Sequence, residues 1–453
     1  MSLIVACRLK SGDYGSFFEG MLLFCYRLLF LPVLLAMSPY YLWRMRRRGG
    51  YRKHFAHRLG RHRRVSRTHP GARRVWLQAV SVGEMLAVAP MIEALHREGI
   101  EVYLTTTTST GYRLADDRYR EMTVGIGYFP IDWWRFSARA WRRIAPDLAI
   151  LTEGERWPEH LHQARRRGVP VVCVNARLTE RSFRRWNLYR PAARWVFRGI
   201  ARMLPCSARD EARFAALGFP AERMQVTGNI KLDVTIPPLA AGERGQIRRE
   251  LGLPEGGLVL LGSSTWPGEE TALFEALRRV RGTGIRCALV IVPRHAERRL
   301  EIERLLRSAG LRSHFRSRGP APGEVDVAVG DTTGELRRIT QVADLVFVGK
   351  SLGPHTEGQT PIEAASLGKP VLFGPGMASF REIAAELEAC GGARRIADAA
   401  GIATAAAELL RDEKRREAMS AAALGWHRAN QGATERTLAV IREELAAIRR
   451  SRR

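Results

Sequence analysis

The sequence predicts an α/β protein built from two Rossmann-like, doubly wound domains facing a cleft, preceded by an N-terminal apolar membrane-anchor helix. Three observations carry that reading. At 453 residues the chain exceeds what one small core serves, so two domains of about 150 to 220 residues are expected. From residue 73 onward, short β-branched runs alternate with helical stretches, the rhythm of parallel strands joined by right-handed crossovers. That rhythm pauses at V-T-I-P-P-L-A-A-G-E-R-G-Q, which has the proline and glycine content of a linker, and then restarts. The expected division is an anchor over 1–48, one domain over 49–235, a second over 236–430, and a closing helix over 431–453 that can cross back to the N-terminal domain.

The first element, 21–43, reads M-L-L-F-C-Y-R-L-L-F-L-P-V-L-L-A-M-S-P-Y-Y-L-W and is apolar apart from Arg27. At about 1.5 Å per residue it is long enough to cross a hydrocarbon core, although Arg27 and Pro32 make the span borderline. A membrane anchor, a cleaved signal peptide and a buried core helix all fit that length. The flank separates them: residues 41–75 hold thirteen Lys or Arg and no Asp or Glu, and such a cluster resists translocation. A spanning or interfacial anchor is therefore expected, with Tyr40, Tyr41 and Trp43 at the interface and the arginines on anionic headgroups. Everything after Trp43 would then be cytoplasmic. Over the whole chain 73 Lys plus Arg face 46 Asp plus Glu, a net charge of +27, which asks for a polyanion such as nucleic acid or an anionic membrane. Cys7, Cys25, Cys173, Cys206, Cys287 and Cys390 form no C-x-x-C pair, so neither a disulfide framework nor a zinc cluster is indicated.

The predicted strands of the first domain are V-W-L-Q-A-V, E-V-Y-L-T-T-T, V-G-I-G-Y-F, D-L-A-I-L-T and P-V-V-C-V-N, followed by a unit starting M-L-P-C-S. Those of the second are L-V-L-L-G-S-S, A-L-V-I-V-P-R, V-D-V-A-V-G-D, L-V-F-V-G-K-S and P-V-L-F-G-P, and a helical tail from 415 is interrupted only by N-Q-G at 430–432. Ligands of such sheets bind outside the carboxyl ends of the strands. The residues directly after each strand are therefore the candidates.

S-V-G-E at 81–84 fits a capping box, with the Ser81 hydroxyl on the third helical amide and Glu84 reaching back to the Ser81 amide. Glu84 is equally placed for proton abstraction, because Gly83 leaves room for a ligand beside it. Both readings stand at this point. The run T-T-T-T-S-T-G at 105–111, with Thr107, reads as helix caps. Glu153 and Glu155 of E-G-E-R-W-P repel unless they meet a cation or a hydroxyl-rich ligand. N-A-R-L-T-E-R-S supplies Asn175, Arg177 and Ser182 after the next strand. In the second half, G-S-S-T-W-P-G-E-E at 262–270 opens a helix whose free amides suit an anion. Arg294 of P-R-H and Lys231 of G-N-I-K place cations where they could hold the same phosphate. T-P-I-E-A-A-S-L-G-K-P at 360–370 is not a P-loop, because Glu363 stands where its first glycine would be. That carboxylate could instead accept vicinal ribose hydroxyls.

In this order the motifs resemble the 3-deoxy-D-manno-octulosonic acid (Kdo) transferases of lipopolysaccharide assembly, which are GT-B glycosyltransferases. The resemblance covers nearly the whole chain and rests on nine ordered motifs: S-V-G-E, T-T-T-T-S-T-G, E-G-E-R-W-P, N-A-R-L-T-E-R-S, G-N-I-K, S-T-W-P-G-E-E, P-R-H-A-E-R, D-T-T-G-E-L and E-G-Q-T-P-I-E-A-A-S-L-G-K-P-V. Two departures are visible: Trp266 replaces the family's histidine, and Gln359-Thr360 replaces its H-N, after a 353–357 segment of different length. The resemblance implies transfer of Kdo from CMP-Kdo to a lipid A precursor of the lipid IVA type, with inversion. It makes Glu84 the base. It assigns donor contacts in the second domain to Ser264, Thr265, Glu269, Arg294, His295, Thr333, Gly334, Glu335, Thr360 and Glu363, together with Lys231. Acceptor contacts fall to Ser81, Gly83, Thr107, Glu153, Glu155, Asn175, Arg177 and Ser182. No metal and no cofactor are implied, CMP-Kdo being a substrate. The implied partners are the lipid A precursor and anionic inner-membrane lipids, not nucleic acid, with the catalytic domains on the cytoplasmic face of the inner membrane and the arginines from Arg44 to Arg74 facing phosphates.

Two rivals remain. Another GT-B nucleotide-sugar transferase acting on a different membrane lipid is kept open by Gln359-Thr360. A non-catalytic basic membrane-binding protein would explain the charge but not the order of the motifs.

Overall fold

The computed structural model describes residues 11–48, 54–154 and 156–451. The chain divides into two compact units, Met1–Asp233 with Gly432–Arg453, and Val234–Gln431. In the first, six parallel strands, β1 Arg74–Gln78, β2 Glu101–Thr106, β3 Gly125–Tyr128, β4 Leu148–Thr152, β5 Val171–Ala176 and β6 Arg202–Pro205, are ordered β3-β2-β1-β4-β5-β6 among the described residues. This is the doubly wound order whose switch point lies between β1 and β4. Every residue of β1, β2, β4 and β5 is buried, as expected for parallel strands covered by helices on both faces.

The pleat sends alternate β1 residues to opposite faces. Val75 and Leu77 join a core with Met85, Met91 and Ile150, while Trp76 joins Tyr103, Trp141, Phe197 and Phe214 on the other side. The final helix Ala433–Ser451 completes the first of these cores with Leu438, Ile441 and Leu445. Asp233, where the chain leaves this unit, accepts hydrogen bonds from the amides of Gly432, Ala433 and Thr434, where the chain re-enters it. One carboxylate thus caps the returning helix and ties exit to entry.

The second unit holds β7 Leu258–Thr265, β8 Cys287–Pro293, β9 Ser313–Phe315, β10 Val327–Val329, β11 Leu345–Val348, β12 Val371–Phe373 and β13 Ala393–Arg395, in the order β13-β12-β11-β7-β8-β10-β9 among the described residues. All pair in parallel. Here the corresponding switch lies between β7 and β11. The edge strands S-H-F and A-R-R were not among the predicted ones. They are three residues long and lack an apolar run, so only pairing with β10 and β12 makes them strands.

The basic flank is corrected by the structure. Arg74 is buried: Nε donates to Glu101 at 2.7 Å, Nη1 to the carbonyls of Val65 and Ile144, and Nη2 to that of Ser66. A buried guanidinium needs such partners, so Arg74 anchors the flank to β1 instead of facing lipid phosphates. Arg67 pairs with Asp147 at 2.9 Å, whereas Arg61, Arg63 and Arg64 are exposed.

Candidate active site

At the β1/β4 switch point, Glu84 sits in the first turn of helix Val82–Ala87 and is buried. Ser81 is the N-cap, its Oγ accepting the Glu84 amide at 3.2 Å. The carboxylate does not reach the Ser81 amide as a capping box requires. Oε2 instead accepts the Val80 amide at 3.0 Å and the Thr152 hydroxyl at 2.5 Å, while Oε1 accepts the Ser81 hydroxyl at 3.1 Å. Thr152 ends β4, so this contact joins the two strands that flank the switch. Gly83 is exposed, and a side chain built there would meet only Ser81 Oγ, at 3.9 Å. Space is open beside the carboxylate.

The threonine run lies beneath this turn. Thr106, Thr107 and Thr108 all direct their hydroxyls to the Val80 carbonyl, at 3.1, 3.2 and 3.4 Å, and Thr108 also caps helix Ser109–Tyr119. Thr107 therefore supports the Glu84 turn from below rather than offering its hydroxyl outward. Arg58 binds the Thr107 carbonyl at 2.6 Å.

Past β4, Glu153 adopts φ 54° and forms an ion pair with Lys231. Lys231, which belongs to the first unit, thus supplies the cation that Glu153 was expected to meet. Glu155 lies outside the described residues. Asn175 is buried, with its carbonyl oxygen accepting the Ile230 amide at 3.1 Å and the Cys206 thiol at 3.0 Å. It fastens the Ile230 segment to β5 and so acts on the site through the backbone. Arg177 is half-buried at the end of β5. Ser182, in the first turn of helix Glu180–Leu188, is engaged with the cap Thr179 through both its amide and its hydroxyl.

The second unit carries its own carboxylate at the switch. Glu269, at the start of helix Glu269–Gly282, accepts four backbone amides: Trp266 at 2.8 Å and Lys350 at 2.9 Å on Oε2, Ser351 at 2.9 Å and Leu352 at 3.2 Å on Oε1. Burial pushes its carboxyl pKa upward, while the four amides oppose that rise. Contrary to expectation, Glu269 is a pin between β7 and β11 and has no acceptor position left for a donor nucleotide. Thr265 is likewise turned inward, its hydroxyl bonding Glu270 at 2.8 Å, and Glu270 pairs with Arg298. Both departures from expectation have one cause: the first turn of this helix uses its own acidic residues to satisfy nearby donors.

Of the remaining predicted donor residues, Ser264 stands at φ 56° and is half-buried. Arg294 and His295 are exposed after β8. Thr333 and Gly334 form an exposed turn after β10, and Glu335 accepts the Thr332 hydroxyl and Arg316. Thr360 caps the Ile362 amide at 3.2 Å, and Glu363 pairs with Arg337 at 2.7 Å. Trp266 meets the 353–357 segment in space: its ring lies 5.2 Å from His355 and 5.3 Å from His295, with the Lys350 ammonium 4.4 Å from its centroid. Lys350 and Thr152 were missed by sequence reasoning. Each immediately follows or ends a predicted strand, which was the available signal.

A family profile described as "3-Deoxy-D-manno-octulosonic-acid transferase (kdotransferase)" matches residues 53–234. The 3-deoxy-D-manno-octulosonic acid transferase of Bordetella pertussis is 36% identical over 418 residues, covering 89% of this chain and 95% of that protein. The chain belongs to the Kdo transferase family. Its activity is accordingly that of a glycosyltransferase. The enzyme of the same name from Haemophilus influenzae is 28% identical over 435 residues, 95% of this chain and 98% of that one. Among solved structures, a glycosyltransferase from Rickettsia africae has a TM-score of 0.57 at 10% identity, covering 83% of this chain and 99% of that chain. A UDP-N-acetylglucosamine 2-epimerase from Listeria monocytogenes has a TM-score of 0.55 at 15% identity, covering 83% and 98%. These two speak for the GT-B fold of this Kdo transferase family member.

Proposed function

We propose that this enzyme transfers Kdo from CMP-Kdo to a lipid A precursor, inverting the anomeric carbon, at the cytoplasmic face of the inner membrane. The observation that carries the reading is Glu84, a buried carboxylate at the β1/β4 switch point, held by one amide and two hydroxyls beside the open space at Gly83. In the proposed step an acceptor hydroxyl gives its proton to Glu84 as its oxygen bonds the anomeric carbon. The bond from that carbon to the CMP phosphate oxygen breaks, and CMP departs with the electron pair.

The second unit is proposed to hold the donor. The exposed guanidinium of Arg294 would neutralise charge growing on the phosphate, and Glu363 would accept ribose hydroxyls in exchange for part of its contact with Arg337. Trp266, with Lys350 above it, would stand in for the family's histidine. Anionic lipids are proposed to meet the exposed arginines Arg61, Arg63 and Arg64. No cofactor enters the proposal.

The test is incubation of membranes containing the enzyme with CMP-Kdo and a tetra-acylated lipid A precursor, followed by mass spectrometry. The expected result is a product heavier by one or more Kdo residues. Release of CMP without such a product would move the reading to another lipid acceptor, and failure to consume CMP-Kdo would overturn it.

A further inference from the structure

Arg27 stands inside the apolar stretch Gly20–Trp43 of helix Ser11–Arg48, and it has a partner in the globular part of the first unit. Its Nε donates to Glu159 Oε2 at 2.8 Å and its Nη2 to Oε1 at 3.0 Å, and the Glu159 side chain is fully buried. One residue earlier, the Tyr26 hydroxyl donates to Asp132 Oδ2 at 2.6 Å. Asp132 is also buried and accepts the amides of Glu159 and His160. Two buried acids of the first unit thus take their side-chain donors from this helix, Glu159 also accepting from Gln163.

Exposure along the helix repeats at the helical period. Leu23, Tyr26, Arg27, Phe30, Leu31 and Leu34 are buried or half-buried, whereas Phe24, Leu28, Leu29, Val33 and Leu35 are exposed. One stripe of the helix therefore lies lengthwise on the unit, and the opposite face is aliphatic and uncovered.

We propose that this helix lies in the plane of one leaflet of an anionic bilayer, clamped to the first unit by Arg27 on Glu159 and Tyr26 on Asp132, instead of crossing the membrane. The inference rests on the membrane part of the proposed function. Its geometry comes from lengths. With Tyr26 and Arg27 held against polar partners, the arm 28–43 spans about 24 Å at about 1.5 Å per residue, the apolar arm before them is shorter, and a hydrocarbon core is about 30 Å thick. Neither arm crosses alone. A crossing would draw Glu159 and the charged helix Pro158–Arg166 into hydrocarbon, or would part the pair and leave buried acids without their partners. An in-plane helix usually brings its own polar face; here the globular part supplies it.

The residues at the C-terminal end of the exposed face favour a leaflet as its occupant. Tyr40, Tyr41 and Trp43 are exposed, and Arg44, Arg46, Arg47 and Arg48 come directly after them, a composition matched to the headgroup boundary and to anionic phosphates.

The test uses the full chain with its native cysteines changed to serine, and requires that its melting temperature be retained. A Ser11→Cys variant in inside-out inner-membrane vesicles is treated with a membrane-impermeant maleimide. Labelling equal to that of an exposed control, Arg184→Cys, before detergent is expected; labelling only after detergent means that the helix spans and overturns the proposal. Efficient Leu28→Cys cross-linking between chains would assign the exposed face to a second copy and also overturn it. For the clamp, Arg27→Ala and Glu159→Gln are each expected to lower the melting temperature, and the double variant to be no worse than the poorer single; additive losses would refute the pairing. Neither readout uses CMP-Kdo, so a chain inactive on lipid A but labelled at residue 11 would sink the transfer reading and leave this one standing.

Discussion

Glu84 and Glu269 occupy matching places in the two units, each at the start of the helix that follows the strand beside the switch point, yet their surroundings are opposite. Glu84 is held by one backbone amide and two side-chain hydroxyls, whereas Glu269 is held by four backbone amides. A hydroxyl can rotate to another acceptor when a carboxylate takes up a proton. A backbone amide cannot, and four of them fix both the charge and the loop that carries them. The difference teaches that a carboxylate's donors, more than its position, decide how freely it can take up a proton.

The sharpest way to break this contrast is Glu84→Gln, which preserves shape and removes the proposed base. Transfer is expected to fall by about a hundred- to ten-thousandfold while thermal stability changes little, read by mass spectrometry beside a melting curve. Near-normal turnover would leave Glu84 as a structural tie between the Val80 turn and Thr152. Glu269→Gln should do the reverse. An amide nitrogen now faces some of the four backbone donors, and leaving them unpaired costs about 3 kcal/mol of stability, measured by denaturant unfolding; a change under about 0.5 kcal/mol would contradict the pin.

A smaller effect is expected from Thr152→Val, which keeps volume and removes one hydroxyl from Glu84. Activity should drop about tenfold, with stability altered by no more than about 1 kcal/mol. An unchanged rate would show that Thr152 does not orient the carboxylate.

The smallest effect concerns pH and sharpens the contrast between units. Burial holds His57, His62 and His160 of the first unit well below the usual imidazole range, at about 4, 3 and 3. The unfolded chain protonates these rings near pH 6.5, so between about pH 6.5 and 4 it binds more protons than the folded one, and stability falls as pH falls. Asp132, pushed up to about 7 by burial, acts in the opposite direction because the folded state binds its proton first. Three rings outweigh one carboxyl. Hydrogen-exchange mass spectrometry through this pH range should show the first unit losing protection before the second; the reverse order would refute the account.

Much of the fold was legible because parallel strands buried on both faces must be continuous apolar runs, and V-W-L-Q, D-L-A-I-L-T and A-L-V-I-V-P announce themselves that way. The edge strands S-H-F and A-R-R did not, since their conformation comes from a neighbour's hydrogen bonds. Within the site, the turns after the strands were legible from their small and polar residues. The contacts of each side chain were not. Thr265 and Glu269 read as ligand contacts and turned inward, and Lys231 read as a phosphate cation and is paired with Glu153. A strand-end motif gives the position of a side chain along the chain, while its partner comes from another strand far away in sequence.

The sequence by itself determined the α/β class, the paired sheets, the apolar N-terminal segment and the family, because periodicity, composition and ordered motifs are local properties of the chain. Only the tertiary structure decided that Thr152 binds Glu84, that four amides lock Glu269, that Arg74 is an internal anchor, and that Arg27 meets Glu159. Each of these is a polar group whose burial is tolerable only with a partner, and the partner is supplied by folding.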